Sequence, residues 1–215
     1  MEKNKNVRRN LVMDWKNKLD ECCADEVEEL IINSIKAGFL SNEEIEEECK
    51  FYIEEDYPDD MENIADIDFY TVITTLREEF QNPKKQENFL KLDLAFNNME
   101  KRGIVTEHCA GYTLSDGIDD CNEDAAKYMK EGKTIIGYCF YTMQDLEHLF
   151  DGSTTLYFCF GNYSDKVTAI EVGQMIVNEL EKVGFSTKWE GLADKRVAVL
   201  DMVWDKQYQD SSIFL

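Results

Sequence analysis

The sequence predicts an α+β fold, in which an N-terminal helical bundle or layer precedes an α/β sandwich with a mixed sheet and a C-terminal hairpin. Over the first hundred residues, apolar positions recur at spacings of three and four, which is the period of amphipathic helices. From residue 104 onward, β-branched and aromatic runs alternate with further helical stripes. The closing runs alternate their side chains on both sides of a turn, which is typical of a hairpin.

Two helices are predicted before residue 60. An apolar stripe over residues 12–35 predicts the first, which is expected to end near Gly38. Ser41 followed by Glu44 forms a capping box that begins the second helix, and Pro58 stops it. The side chains predicted to be buried in the second helix are Ile45, Cys49, Tyr52 and Ile53.

Two more helices are predicted before residue 103. The stripe over residues 69–80 predicts a third helix that ends before Asn82 and Pro83. The stripe over residues 89–99 predicts a fourth, with Gly103 as its left-handed cap. Four amphipathic helices joined by short loops indicate a small bundle or a helical layer.

After this point short strands and helices are expected in turn. Residues 104–106 and 112–114 are predicted to be extended pieces, and Asp120 with Glu123 is predicted to cap a helix that Gly132 closes. The β-branched and aromatic run at 134–141 predicts a strand.

The remaining elements follow the same logic. Thr142 with Asp145 caps a short helix, residues 154–160 form a buried strand, and residues 169–183 form a long helix. The predicted hairpin pairs residues 185–189 with residues 197–204.

The change of period divides the chain into a helical region at 1–102 and an α/β domain at 103–215. The whole sequence has only two prolines, and no Gly/Ser-rich linker lies between these two parts. The alternative is therefore that both parts form one compact unit.

Charge is the most unusual bulk property, because 45 acids against 23 Lys and Arg leave a net charge of -22. Nucleic-acid binding needs Lys and Arg to displace counterions from phosphates, so DNA and RNA are not expected as partners. An anionic membrane surface is not expected either, and no apolar run approaches the roughly 20 residues that span a bilayer. Such a field favours a basic protein partner, a cation, or simple solubility.

The seven cysteines contain no CxxC pair, which argues against a zinc finger or a thioredoxin-type redox motif. Residues 1–10 carry Lys and Arg but no apolar core follows them, so no secretory signal is predicted. We therefore expect a reduced, cytoplasmic protein. No cofactor is indicated, and the oligomeric state is left open.

The negative charge is concentrated in residues 43–68, where thirteen acids against the single Lys50 leave a local charge of -12. One interpretation is a solvated helix face and loop. The other is a docking surface for a basic protein, since complementary fields raise the association rate. The residues predicted to bind the partner are Glu43, Glu44, Glu47, Glu48, Glu54, Glu55, Asp59 and Asp60.

A second group of polar side chains lies in the central stretch, residues 103–150. Ligands of α/β folds gather at the C-terminal ends of strands, and several polar residues here follow or flank predicted strands. The pocket predicted on this basis consists of His108, Tyr112, Asp116, Tyr141, Gln144 and Asp145.

The chemistry of this stretch has open alternatives. Asp116, Asp119 and Asp120 are weak metal candidates, because oxygen ligands suit Mg²⁺, Ca²⁺ or Mn²⁺ but their spacing does not match an EF-hand loop. We therefore predict no metal site and read the loop as one that caps the next helix. His108 could act as an acid–base group with Asp116 or Asp145, or it could simply be satisfied by a hydrogen bond.

Several segments resemble a bacterial family known only as a domain of unknown function. The resemblance covers roughly residues 88–204, and it implies no activity. It is carried, in order, by RGIV at 102–105, HCAGYTLSDG at 108–117, FYTMQD at 140–145 and WEG at 189–191. Family members often place a His between the Tyr and the Gln-Asp pair, whereas this chain has Thr142 and Met143 there.

Two functions remain. The favoured hypothesis is a non-enzymatic, acidic interaction protein, such as an immunity protein, inhibitor or adaptor for a basic partner. It rests on the charge of residues 43–68 and on the lack of a phosphate loop, nucleophile elbow or HExxH motif. The alternative is a small-molecule or divalent-metal-dependent enzyme or binding domain that uses His108, Asp116, Gln144 and Asp145.

Overall fold

The computed structural model describes residues 14–81 and 86–209, and over these residues it contains seven α-helices and a five-stranded mixed sheet. The α+β class predicted from the sequence is confirmed. Contacts divide the described chain into two units, one formed by residues 14–81 with 206–209 and the other by residues 86–205.

The first unit is helical. A 3-10 turn at Asp14–Lys18 precedes three helices, α1 at Glu21–Ala37, α2 at Asn42–Asp56 and α3 at Phe69–Phe80, and two further 3-10 turns lie at Pro58–Asp60 and Ile64–Asp66. The three helices pack against one another because each carries an apolar stripe. Their shared core includes Trp15, Val27, Ile31, Ile35, Ile45, Cys49, Ile53, Phe69 and Ile73.

The ends of these helices follow local sequence signals. Ser41 and Glu44 form the predicted capping box of α2, and α1 ends at Gly38 in the left-handed conformation, with φ 76°. The first helix begins later than predicted, at Glu21, because Asp20 accepts a hydrogen bond from the Cys22 N–H and caps it there. Residue 12, where the stripe was expected to start, lies outside the described residues, as do Asn82 and Pro83.

The described end of the chain also belongs to the first unit. The Lys206 ammonium lies 4.7 Å from the ring centroid of Phe39, and the Arg77 guanidinium lies 5.0 Å from that of Tyr208. Arg77 also donates to the Leu40 carbonyl at 2.9 Å. Cation–π contacts of this kind attach residues 206–208 to the three helices.

The second unit combines four helices with the sheet. Its helices are α4 at Glu87–Glu100, α5 at Leu114–Lys130, α6 at Met143–Phe150 and α7 at Ala169–Lys182. Its strands are β1 at Ile104–Glu107, β2 at Gly137–Phe140, β3 at Leu156–Asn162, β4 at Ser186–Lys188 and β5 at Val197–Leu200. The sequence grouped α4 with the preceding helices, whereas its contacts are with β1 and α7.

The strand order is β1-β2-β3-β5-β4. β1 runs parallel to β2, with Ile104 opposite Gly137, and α5 provides the crossover between them. The other neighbours are antiparallel, including β4 and β5, which are the predicted C-terminal hairpin. The observed strands are shorter than the predicted ones, since β2 covers four residues of the run at 134–141 and β5 ends at Leu200.

One predicted helix start is wrong. Helix α5 begins at Leu114, with a capping box between Thr113 and Asp116, and not at the Asp120 and Glu123 pair. Residues 112–114 are accordingly not an extended piece, and Asp120 and Glu123 are exposed within the helix. Thr113 and Asp116 cap the helix in place of Asp120 and Glu123. The Thr113 hydroxyl and the Asp116 carboxylate each accept a backbone N–H that the first turn leaves unpaired.

Membrane-spanning helices were not predicted. Within residues 14–81 and 86–209, none of the helices combines the length and the apolar character needed to cross a bilayer.

Gly103, between α4 and β1, allows the close packing of this connection to be tested. Its φ is 85°, its carbonyl accepts the Ile136 N–H at 2.7 Å, and an added Cβ would lie too close to the Thr134 carbonyl oxygen. Gly132 has nearly the same φ, 84°, but an added Cβ there would meet nothing within 4 Å. We expect Gly132→Ala to cost about 1–2 kcal/mol for the left-handed backbone alone, and Gly103→Ala to cost about 2 kcal/mol more.

Chemical denaturation of the two variants measures this difference in the free energy of unfolding. Equal losses for Gly103→Ala and Gly132→Ala would contradict the close packing of Gly103 against Thr134.

Candidate functional site

The acidic segment at residues 43–68 lies on the surface of the first unit. Eleven of its thirteen acids are exposed, and Glu46 and Asp60 are half-buried. This orientation follows from α2, whose residues Ile45, Cys49 and Ile53 are fully buried on the opposite side of the helix. We call the exposed carboxylates of α2 and of the turn that follows it the acidic face; its members are Glu43, Glu44, Glu47, Glu48, Glu54, Glu55, Asp56 and Asp59.

Three of the residues predicted to bind a partner, Glu44, Glu48 and Asp60, have partners within the first unit. The Glu44 carboxylate accepts the Ser41 N–H at 2.7 Å and closes the capping box. The Asp60 carboxylate accepts the Asp20 N–H at 3.2 Å, and together with burial it raises the pKa of the Cys23 thiol to about 12. Glu48 forms a side-chain hydrogen bond with the buried Ser34 of α1, and burial raises the pKa of its carboxyl. The other five predicted residues project into solvent, so the charge they carry is available to a partner.

The charge of the segment has little internal compensation. The Lys50 ammonium lies 2.5 Å from the Glu46 carboxylate, which the sequence analysis had left out of the predicted partner surface. Among residues 14–81 and 86–209, no other acid of the segment forms an ion pair with a Lys or Arg side chain. Lys50, which pairs with Glu46, and Arg77, whose charge interacts with that of Glu43, therefore offset only a small part of the negative charge of the segment.

Phe51 also belongs to this surface, with a side chain that is 65% exposed, and it was not among the residues predicted to bind a partner. Phe51 lies on α2 with Glu47 and Glu48 one turn before it and Glu54 and Glu55 one turn after it. The sequence contained the signal, because Phe51 falls outside the predicted buried stripe. A large apolar side chain on the acidic side of a helix is the feature that could have identified it.

A carboxylate on α1 holds the C-terminal half of α2. The hydroxyls of Tyr52 and Tyr57 donate to the same Glu26 carboxylate, at 2.5 Å and 2.6 Å. These two hydrogen bonds lower the pKa of Glu26. Tyr52 was predicted to be buried; it is half-buried, and its hydroxyl reaches the surface. The pair fixes the end of α2 that carries Glu54 and Glu55.

In the second unit, His108 lies directly after β1 and packs among aromatic rings. Its ring stacks on Phe96, with centroids 4.3 Å apart and planes at 18°. Its Nδ1 lies 2.9 Å from the Tyr141 hydroxyl, and its Nε2 lies 3.6 Å from the Asp93 carboxylate. Tyr141 is fully buried, and burial raises the pKa of its hydroxyl well above the usual value. The structure therefore brings together His108 and Tyr141 of the predicted pocket.

Asp145 has other partners. Its carboxylate accepts the Thr142 N–H and hydroxyl, both at 3.1 Å, and lies 2.5 Å from Nη2 of Arg196. The same Arg196 nitrogen donates to the Tyr157 carbonyl at 2.8 Å. Asp145 is 4% exposed, so this ion pair is largely removed from water. It joins the N-terminus of α6 to β3 and to the residue before β5.

The other predicted pocket residues lie at the starts of α5 and α6. Asp116 accepts the Thr113 N–H at 2.8 Å, and this hydrogen bond lowers the pKa of its carboxylate. The exposed Tyr112 hydroxyl donates to Glu147 at 3.1 Å, and Gln144 is exposed in the first turn of α6. Asp116 and Asp145 are thus used as helix caps.

The three candidate metal ligands are not assembled around a common point. Asp116 closes the α5 capping box, while Asp119 and Asp120 are exposed on α5. Throughout the part of the chain that the structure describes, no group of three or more His, Cys, Asp or Glu side chains is arranged to hold a metal ion.

A further pair of carboxyl groups, Glu107 and Asp124, has no signal in the sequence because β1 and α5 bring it together. Burial of the half-buried Glu107 and its hydrogen bond with Asp124 raise the pKa of Glu107 to about 7, and the charges of Asp120 and Glu100 add to the shift. Like charges this close favour sharing of one proton. Glu107 is therefore a titrating group near neutral pH.

Comparison with known proteins gives one match. A family model described as a domain of unknown function (DUF6891) matches residues 20–208, which includes α1 to α3 as well as the whole of the second unit. No curated protein matches the chain. No solved structure matches it either.

Glu107 predicts a pH dependence of stability. Its folded-state pKa of about 7 lies above its usual value of 4.5, so its stabilising contribution is complete below about pH 4.5 and is lost as the pH rises through 7. Glu107→Gln keeps a hydrogen-bond donor for Asp124 but does not titrate. We expect the variant to become more stable than the original chain as the pH rises from 5 to 8, by about 1–2 kcal/mol after allowance for solvent screening.

Chemical denaturation over this pH range measures the difference, with Glu123→Gln on the exposed side of α5 as the control. A constant difference between Glu107→Gln and the original chain from pH 5 to pH 8 would contradict the raised pKa of Glu107.

The Arg196–Asp145 ion pair predicts a large effect of removing the cation. Arg196→Met leaves a buried carboxylate with only the Thr142 groups as partners, and we expect a loss of about 3 kcal/mol in the free energy of unfolding. Lys195→Met, which removes an exposed cation next to it, should change stability by about 0.5 kcal/mol or less. A loss for Arg196→Met as small as that of the control would show that Asp145 does not depend on the guanidinium.

Proposed function

The chain belongs to the DUF6891 family, a domain of unknown function, and we propose that it is a non-enzymatic bacterial protein that binds a basic protein partner. An immunity protein, an inhibitor or an adaptor would act in this way. The observation that supports the proposal is the exposed charge of the acidic face, which the described residues offset only in small part. We further propose a cytoplasmic location, which is supported by seven cysteines that are all free thiols.

The acidic face has an energetic property that favours a cationic partner. Glu43 and Glu47, and likewise Glu44 and Glu48, are like charges four residues apart on one helix. Each such pair destabilises a helix by about 0.2–0.5 kcal/mol. A cationic surface placed over α2 relieves this repulsion, so the free energy recovered in the complex adds to the attraction between the two proteins.

Complementary charge acts mainly on the rate of association. A basic protein is attracted to α2 over roughly a Debye length, about 8–10 Å at physiological ionic strength. The attraction raises the association rate and falls with added salt. The affinity for the partner should accordingly be strongly salt-dependent.

The enzymatic alternative has less support. An acid–base role for His108 with Asp116 or Asp145 needs their side chains to converge, whereas both carboxylates cap helices. His108 lies beside the Tyr141 hydroxyl, the Asp93 carboxylate and the Phe96 ring. We therefore do not propose a reaction for this protein.

Charge reversal on α2 tests the proposal. The test variant carries Glu47→Lys, Glu48→Lys, Glu54→Lys and Glu55→Lys, all on exposed positions of α2. The control variant changes the net charge by the same amount at exposed acids of the second unit, through Glu123→Lys, Asp165→Lys, Glu190→Lys and Asp194→Lys. Circular dichroism establishes that both variants keep the helical content of the original chain.

The measurement is capture of proteins from an extract of the native host at low salt, identification of the captured protein, and titration of its affinity over a range of salt concentrations. We expect a basic protein that is released by salt, about tenfold or more weaker binding by the test variant, and near-original binding by the control at moderate salt. Equal binding by the test variant and the original chain would overturn the proposal, and so would capture of an acidic partner.

A further inference from the structure

Phe51 points directly away from the core of the first unit. Residues of an α-helix advance by about 100° each, which places Phe51 opposite the fully buried Ile45, Cys49 and Ile53. Its side chain is 65% exposed and is the most exposed large apolar side chain among the described residues. Packing of the first unit therefore does not account for an aromatic ring at this position.

Four carboxylates surround the ring. Glu47 and Glu48 lie four and three residues before Phe51, and Glu54 and Glu55 lie three and four residues after it. Side chains at these spacings are neighbours on a helix, with Cβ atoms about 5–6 Å apart. All four acids are exposed, and among the described residues none of them pairs with a Lys or Arg side chain. Glu48 also hydrogen-bonds with Ser34 of α1, so Glu47, Glu54 and Glu55 are the carboxylates most available to a ligand. The flanking cation, Lys50, is held by Glu46.

We propose that Phe51 and its four carboxylates are the recognition site for an arginine of the basic partner, with the guanidinium stacked on the ring and paired with the flanking carboxylates. This inference rests on the proposed function, because it assumes that the acidic face binds a basic protein. It adds the identity of the contacting side chain and the aromatic residue that selects it.

An arginine satisfies both parts of the site. Its planar guanidinium stacks on an aromatic face and its five N–H donors match carboxylate oxygens on either side. An apolar side chain placed on Phe51 would cover part of the flanking carboxylates without replacing their hydrogen bonds to water, which is unfavourable. A lysine ammonium supplies charge, but it is strongly hydrated and has no planar surface to stack. Arginine therefore gains more from Phe51 than lysine does.

The test uses the full chain and two short synthetic peptides of equal length and equal charge, in which either arginine or lysine alternates with glycine. Their affinities are measured by calorimetric titration at low ionic strength for the original chain and for Phe51→Ala, Phe51→Leu and Phe51→Trp. Leucine keeps an apolar side chain without an aromatic ring, and tryptophan keeps the ring. Tyr70→Ala, on α3, is the matched control, since Tyr70 is also an exposed aromatic residue, with 51% exposure.

We expect the original chain to bind the arginine peptide about three- to tenfold more tightly than the lysine peptide. Phe51→Ala and Phe51→Leu should lose this preference while binding the lysine peptide as before, and Phe51→Trp and Tyr70→Ala should keep it. Equal affinity of the original chain for both peptides would overturn the inference, as would a preference that persists in Phe51→Ala.

Failure of the proposed function itself gives a different result. If the acidic face is not a binding surface, neither peptide binds the original chain more tightly than it binds the variant with Glu47, Glu48, Glu54 and Glu55 changed to Lys. Salt-sensitive binding of both peptides without an arginine preference overturns only the role of Phe51.

Discussion

Burial of one apolar stripe on α2 holds the acidic face in place. Ile45, Cys49 and Ile53 have no solvent exposure and belong to the core that α1 and α3 complete. Full burial of an aliphatic side chain contributes about 1.5–3 kcal/mol, whereas a like-charge pair one turn apart costs about 0.2–0.5 kcal/mol. Burial therefore outweighs the repulsion among the acids. The helix forms with Phe51 and its neighbouring carboxylates directed away from the core.

The second unit uses its acids differently. Asp116, Asp145 and Glu171 each close a capping box with a threonine three residues earlier. Each carboxylate accepts a backbone N–H that a helix start leaves unpaired, and it also interacts favourably with the positive end of the helix dipole. The Thr/Ser-x-x-Asp/Glu spacing looks the same in a sequence whether the acid is a cap or a ligand. The predicted pocket included two such acids, Asp116 and Asp145. Only contacts between residues distant in sequence can show whether an acid of this spacing is a helix cap or a ligand-binding residue.

Local signals predicted most helices, but the start of α5 was predicted wrongly. The capping boxes at Ser41 and Thr142 were recognised and are present. The equivalent box at Thr113 was missed, because residues 112–114 were predicted to be extended and the cap was placed at Asp120 and Glu123. An added Cβ at Gly117 would collide with the Phe140 ring, so glycine is required for α5 to lie close to β2. Strand order is likewise set by packing across the sheet, which a pattern of apolar residues does not encode.

The candidate sites show the same division. His108 and Tyr141 were both predicted as pocket residues, but their hydrogen bond joins positions 33 residues apart and depends on the parallel pairing of β1 with β2. Glu107 and Asp124 meet for a similar reason. Phe51, in contrast, was readable from the sequence, because helical spacing alone puts it among four glutamates. Sites built on one element can be predicted, and sites built between elements require the fold.

Solubility alone does not explain a surface with this charge distribution. A solvated helix face gains stability when acids and bases alternate at four-residue spacing, because each such ion pair contributes a few tenths of a kcal/mol. α2 has one such pair, between Glu46 and Lys50. On the side that carries Phe51 it has only acids. Glu43 and Glu44 lie in the first turn, where they favour the helix dipole, and Glu48 hydrogen-bonds with Ser34. Glu47, Glu54 and Glu55 have neither of these roles. The three acids that lack a structural role therefore support the proposed binding of a basic partner, since proteins depart from local stability rules at functional sites.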